Sequence, residues 1–126
     1  MIPHYPQRAP IEAFGRNGFR FAHLSHRGSL LVLPSGMYSW SAVAATELAA
    51  GDFAQLFAER SALDWVLIGT GDTMQKPPAP VVAAFSSHGI PFDYMSTASA
   101  VRTYNVVLAE GRRVAAAFIA VQDSHA

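Results

Sequence analysis

Trp65-Val66-Leu67-Ile68-Gly69-Thr70-Gly71-Asp72 decides the fold. Four large apolar residues in a row, stopped by two closely spaced glycines, read as a strand covered on both faces that ends in a tight bend. Two more strand-like runs follow, Ile90–Met95 and Arg113–Val121, and the last is nearly all apolar, as a central strand is. Between the first and second, Val81, Ala84, Phe85 and His88 share one face of a helix expected over Pro80–His88. Proline is tolerated in its first turn, and Gly89 is placed to end it. Between the second and third, Thr97 can cap a helix over Ala98–Ala109 that turns Val101, Tyr104 and Leu108 inward and stops at Gly111. The order from residue 64 is therefore β-α-β-α-β. Such crossovers are overwhelmingly right-handed and give parallel neighbours. The helices are then expected on one face of the sheet, unless a third layer covers the other.

Upstream of this unit the pattern changes. Phe19-Arg20-Phe21-Ala22-His23-Leu24 alternates apolar and polar, as one half-buried strand does. His26-Arg27-Gly28-Ser29 reads as a turn, Leu30–Leu33 as a strand buried on both faces, and Met37–Trp40 as a third short strand. This β-meander can add a layer or extend the sheet. Asp52 is placed to cap a short helix through the amide of Gln55, with Phe53, Leu56 and Phe57 as its apolar stripe. The expected class is mixed α/β (α+β): a single-domain layered sandwich, an N-terminal β-meander followed by β-α-β-α-β. A Pro-rich extended arm is expected over residues 1–12, the domain over 13–122 and a tail over 123–126. Tyr5 and the prolines of the arm could add to a sheet or to a partner.

Composition narrows the function classes. The chain has 126 residues, 51% of them hydrophobic and 14% charged, which suits one compact core and excludes a disordered chain. The apolar run Val114–Val121 is far shorter than the ~20 residues that a membrane span needs, so no span is expected. Cysteine is absent, which excludes disulfides, Cys-ligated zinc, Fe–S clusters and thiol nucleophiles. The opening residues lack a basic region followed by an apolar core, so no secretory signal is expected and a cytoplasmic location is. Formal charge is zero but uneven: residues 1–40 hold Arg8, Arg16, Arg20 and Arg27 against Glu12 alone. Such a mild dipole can orient a partner. A single lysine, Lys76, and dispersed arginines argue against nucleic acid.

The chemistry-bearing residues converge on one edge. If the strands at 65–68 and 90–95 are parallel, the loops after them open at the same sheet edge, where open α/β sheets bind ligands. Thr70, Asp72, Thr97, Arg102 and Asn105 are the candidate site there, small and polar, with a helix N-terminus suited to an anion. The same residues can instead pin the loop, with Gly69 and Gly71 as a tight turn, Thr97 as a cap, Arg102 paired with Asp72 or Glu110 and Asn105 bonded to a loop carbonyl. The dinucleotide fingerprint fails because Met74 stands where a third glycine belongs, and no phosphate-loop lysine follows at the required spacing. His4, His23, His26, His88 and His125 form no His-x-x-x-His pair, and no Gly-x-Ser-x-Gly elbow exists, so neither a metal nor a catalytic residue is expected.

The combination Gly28-Ser29-Leu30-Leu31-Val32-Leu33-Pro34, Leu67-Ile68-Gly69-Thr70-Gly71, Arg102-Thr103-Tyr104-Asn105 and Glu110-Gly111-Arg112 resembles a widespread family of small Mth-type domains of unknown function. That family includes the mitochondrial assembly factor 3 of respiratory complex I, and the resemblance runs from about residue 10 to residue 121. It implies a single-domain layered fold with no established enzymatic activity and no cofactor. It also implies protein partners, so a non-catalytic helper in membrane-complex assembly is the first expectation. Without a mitochondrial presequence the chain looks like a bacterial, free-standing version. The alternative is a small-molecule or anion-binding domain, or an enzyme, that uses the Gly69–Asp72 loop and the N-terminus of the Thr97 helix. A neutral, apolar-rich domain can also bury surface in a homodimer.

Overall fold

The computed structural model describes residues 2–122. The tail expected over 123–126, with His125, lies outside the described residues. Eight strands and three α-helices follow in the order β1 (Ile11–Gly15), β2 (Gly18–Phe21), β3 (Leu24–Arg27), β4 (Ser29–Leu33), β5 (Gly36–Trp40), α1 (Ala54–Ala58), β6 (Trp65–Gly69), α2 (Ala79–Ser87), β7 (Phe92–Met95), α3 (Thr97–Ala109) and β8 (Val114–Phe118). The first three strands form one antiparallel sheet, and the other five form a second with order β5-β4-β8-β6-β7. In that sheet β6 runs parallel to β7 and to β8, as the β-α-β-α-β reading requires. β4 pairs antiparallel with both β5 and β8.

β8 shows why both faces must be covered. Ala115, Ala117 and Ile119 fall in one core cluster, while Val114, Ala116 and Phe118 fall in another. The period of two in a strand sends them to opposite faces. Small alanines let the layers on either side come close. One face packs Phe53, Leu56 and Phe57 around α1 and Val81 and Phe85 of α2, with Phe53 edge-on to Phe85 at 5.1 Å. The other face packs Ala100, Val101, Tyr104 and Val107 of α3 together with Phe19 and Phe21 of the small sheet. The helices therefore lie on two faces rather than one. The N-terminal strands do both things a meander can do: β4 and β5 extend the main sheet, and β1–β3 break away as part of the third layer.

Local readings shift for physical reasons. The single strand expected over Phe19–Leu24 is cut by Ala22 and His23, both left-handed at φ 49° and 62°. A two-residue hairpin turn of this shape normally announces itself with Asn-Gly or Asp-Gly, and here it does not. His26 and Arg27, read as turn, complete β3 instead. Asp52 does not reach Gln55: its Oδ2 accepts from the Ala49 amide at 2.8 Å, because a 3-10 turn over Ala50–Phe53 leads into α1. Ser96, not Thr97, caps α3, accepting from the Ser99 amide at 3.3 Å.

The N-terminal segment is built into the fold. Tyr5 bridges Met37 on the outer edge of β5, with Met37 N–H donating to Tyr5 O at 2.9 Å and His4 N–H donating to Met37 O at 2.7 Å. Arg8 donates from Nη1 to Val114 O at 3.0 Å. An edge strand left open is a template for another chain, and here the arm covers the β5 edge at Met37.

Candidate functional site

The ends of β6 and β7 and the start of α3 meet at one rim, and a set of short hydrogen bonds explains how. Thr97 N–H donates to Gly71 O at 2.9 Å. Its hydroxyl accepts from Gly71 N–H at 3.0 Å and donates to Ile119 O at 2.7 Å. Thr97 is fully buried, so this one side chain ties the β6 loop, α3 and the end of β8 together. Gly69 permits the approach: a Cβ there would stand 2.9 Å from Thr97 Oγ1 and 3.0 Å from Thr97 Cα. Thr70 holds the loop itself. Its amide donates to Met95 O at 2.8 Å, and its hydroxyl donates to Thr73 O at 2.6 Å and accepts from Gln75 N–H at 3.1 Å.

The five residues expected to form a site thus part company. Thr70, Asp72 and Thr97 stand on one rim, but both threonines have their polar atoms engaged inside the fold. Asp72 and Arg102 are exposed, and Arg102 reaches only Ser99 Oγ, at 3.4 Å. No ion pair joins Asp72 to Arg102 among the described residues. Asn105 serves a different neighbour: its Oδ1 accepts from Ile11 N–H at 2.8 Å and its Nδ2 donates to Ile11 O at 3.0 Å. This is the pattern a neighbouring strand would supply. It falls where the β1–β2 register shifts between Ile11 and Ala13. Among the described residues, no buried side-chain nitrogen or oxygen is left without a partner.

Within Arg102-Thr103-Tyr104-Asn105, the last two residues fasten α3 to the N-terminal segment. Tyr104 is fully buried and donates its hydroxyl to Ala9 O at 2.8 Å, so adjacent residues of α3 grip both Ala9 and Ile11. Burial pushes the Tyr104 phenol well above its ordinary range, with the charge of Arg8 opposing only in part. A polar pair on the inward side of an otherwise apolar helix was the available signal, since buried polar groups need partners.

A second constellation joins residues far apart in sequence. His26, buried among Phe21 and His4, approaches Ser29 O with Nε2 at 2.9 Å and His4 Nδ1 with its own Nδ1 at 2.9 Å. A carbonyl only accepts, so Nε2 carries the proton. Nδ1 of His26 must then accept from His4 Nδ1–H. Burial holds the His26 imidazole below its ordinary pKa, the Ser29 carbonyl opposes this, and repulsion from His4 adds to it. Among the described residues no group of three His, Asp or Glu side chains is placed to hold a metal ion.

The outer face of β1–β3 is different in kind. Arg16, Arg20 and Arg27 border a single concavity there, and neither Arg16 nor Arg27 has a side-chain hydrogen bond or ion pair among the described residues.

Fold and rim together define a three-layer α/β domain whose motif residues lock layer to layer. The profile of a family described as a protein of unknown function (DUF498/DUF598) matches residues 11–119, and the chain belongs to that family. An uncharacterised Rhodobacter capsulatus protein is 35% identical over 117 residues, covering 93% of this chain and 89% of that protein. The mouse NADH dehydrogenase [ubiquinone] 1 alpha subcomplex assembly factor 3 is 24% identical over 115 residues. That match covers 91% of this chain but 62% of the mouse protein, so the chain spans less than two thirds of that relative. Among solved structures, a Bartonella henselae protein described as an outer membrane protein has a TM-score of 0.90 at 42% identity, covering 94% of this chain and all 100% of that one. A Bordetella pertussis structure described as an Mth938-like domain has a TM-score of 0.77 at 22% identity, covering 98% of this chain and 95% of that one, and shows the fold. Among the described residues no helix is long and apolar enough to cross a membrane.

Proposed function

We propose that this chain is a non-catalytic protein-binding domain that assists the assembly of a membrane-bound complex. What supports the reading is its relationship to complex I assembly factor 3. The fate of the polar motif adds to it: Thr70, Thr97, Tyr104 and Asn105 use their hydrogen-bonding groups on the fold itself, which leaves recognition to the outer surfaces. The site of action belongs to the same proposal. We place it in the cytoplasm, and the description of the Bartonella relative makes cell fractionation the informative check.

The experiment is crosslinking and mass spectrometry on the full chain, tagged and expressed at native level, beside native gels of membrane complexes from a deletion strain. The expected result is one reproducible partner and one complex stalled in a smaller form. Unchanged complexes together with no crosslinked partner would overturn the proposal. A crosslink only to a second copy, with sedimentation that depends on concentration, would redirect it to self-association.

A further inference from the structure

The register of the small sheet sorts its side chains cleanly. Phe19 pairs with Phe14 and His26, and all three face the core side. Gly18 pairs with Gly15 and Arg27, and Arg20 pairs with Ser25, so these alternate residues face outward. Ala13 pairs with Arg20 as well, so the outward face has a floor of glycine, alanine and serine with arginines standing over it. Arg16 joins them from the β1–β2 turn, and the resulting concavity has a volume of about 460 Å³. Gly18 keeps the floor flat, because a Cβ there would meet His26 O at 2.5 Å.

Charge on this face is one-sided. Residues 11–27 contain a single carboxylate, Glu12, and it is engaged by His23, whose amide donates to Glu12 Oε2 at 3.3 Å. His23 sits in the β2–β3 turn, at the far end of the sheet from Arg16 and Arg27. Arg20 has one weak contact, to Ser25 Oγ at 3.4 Å. Three guanidinium groups share the concavity, and none of them is in an ion pair among the described residues. Guanidinium is weakly hydrated and pairs with carboxylates in a two-pronged geometry, so it suits an acidic occupant.

The kind of occupant follows from what the floor lacks. A small-molecule site places a few convergent polar groups to fix one orientation. His26, the side chain that could do this from below, has both ring nitrogens engaged by His4 and Ser29. The floor is open, pleated backbone with little side chain above it, a surface on which an extended segment can lie. We propose that the outer face of the β1–β3 sheet, walled by Arg16, Arg20 and Arg27, is the docking surface for an acidic segment of the partner protein. This rests on the protein-binding reading above and gives that partner its chemistry.

The test is fluorescence anisotropy with a labelled Glu/Gly/Ser peptide of about ten residues, long enough to cross the sheet. It is run against the full chain at about 50 mM and about 200 mM salt. Two triple variants of equal charge change are compared: Arg16→Gln/Arg20→Gln/Arg27→Gln, and Lys76→Gln/Arg102→Gln/Arg112→Gln as control. Expected is salt-sensitive binding that the first variant weakens about tenfold or more and the control leaves near wild type. Equal weakening by both variants, or no binding at low salt, would overturn the proposal. So would inorganic phosphate or a single-stranded oligonucleotide competing at the same arginines more tightly than the peptide. Crosslinking separates the two readings. If the first variant keeps the partner that wild type captures, this surface is wrong while the protein-binding role stands; if wild type captures none and the membrane complexes of the deletion strain are unchanged, that role itself fails.

Discussion

Two polar regions of this domain treat their hydrogen-bonding groups in opposite ways. At the rim of β6, β7 and α3, each buried hydroxyl and amide finds a protein partner within hydrogen-bond distance, and Thr97 alone joins three segments. On the outer face of β1–β3, three arginines stand over a bare floor, and two of them have no side-chain partner among the described residues. The first region spends its hydrogen bonds on the fold, and the second leaves two guanidinium groups without a protein partner among the described residues. Polarity in a loop is thus a poor guide to function until one knows where its hydrogen bonds go. The comparison makes a quantitative claim: substitutions at the rim should cost stability, and substitutions on the arginine face should not.

The sharpest challenge is Thr97→Val, which keeps shape and removes only the hydroxyl. It leaves Gly71 N–H and Ile119 O without their partner in a buried place. Each unsatisfied group costs about 1–3 kcal/mol, so a loss of roughly 2–5 kcal/mol is expected by urea denaturation. A loss under ~1 kcal/mol would mean that the rim relaxes around the missing oxygen and that its order is not maintained by this residue. Asn105→Ala comes next. Ile11 loses both its donor and its acceptor partner, but the site is only half-buried and water can substitute in part. A loss of about 1–2 kcal/mol is expected, with faster hydrogen exchange at the Ile11 amide.

These two residues also show what could be read in advance. The order of the β-α-β-α-β unit, its parallel strands and the meeting of the Gly69–Gly71 bend with α3 follow from hydrophobic runs and punctuation, and the structure has all three. That Thr97 faces inward does not follow. A threonine after a strand and before a helix reads as a cap, and only the packing of α3 against Gly69 moves the cap to Ser96 and buries its neighbour. The partner of Asn105 is illegible for a different reason. Ile11 lies 94 residues away, and spacing along a helix cannot announce a contact with a strand in another sheet. The turn at Ala22-His23 hides because neither residue is the glycine or asparagine that left-handed backbone favours. The arginine face was visible only as an excess of positive charge in the first 40 residues, without its geometry.

Acid gives a third handle, and it acts beneath the arginine face, where the N-terminal arm is held. His26 lies under the arginine floor and holds His4 of the N-terminal arm. Its pKa is lowered in the folded state by burial first, and also by His4. Above the ordinary histidine value of about 6.5 the ring is neutral, folded or unfolded, and the contact is intact. As pH falls through that value the unfolded chain takes up a proton that the folded chain resists, so stability declines toward acid. A proton on His26 Nδ1 would also face the His4 Nδ1–H donor and break the bond. Thermal unfolding from pH 8 to 5 should show a falling Tm, and His26→Asn should flatten that slope. A slope unchanged by His26→Asn would assign the acid sensitivity to other groups.

The smallest effect carries the other half of the comparison. Arg16→Gln, Arg20→Gln and Arg27→Gln each remove an exposed charge with at most one weak contact, so each should move stability by no more than about 0.5 kcal/mol. Easing repulsion among three like charges could even raise stability slightly, most visibly at low salt. Denaturant midpoints for the three single variants and their combination measure this directly. Near-neutral values alongside a large loss for Thr97→Val would separate a structural rim from a surface that the fold does not need. A loss above ~1 kcal/mol for any arginine would show that it supports the small sheet, and a positive surface maintained for packing would need no partner to explain it.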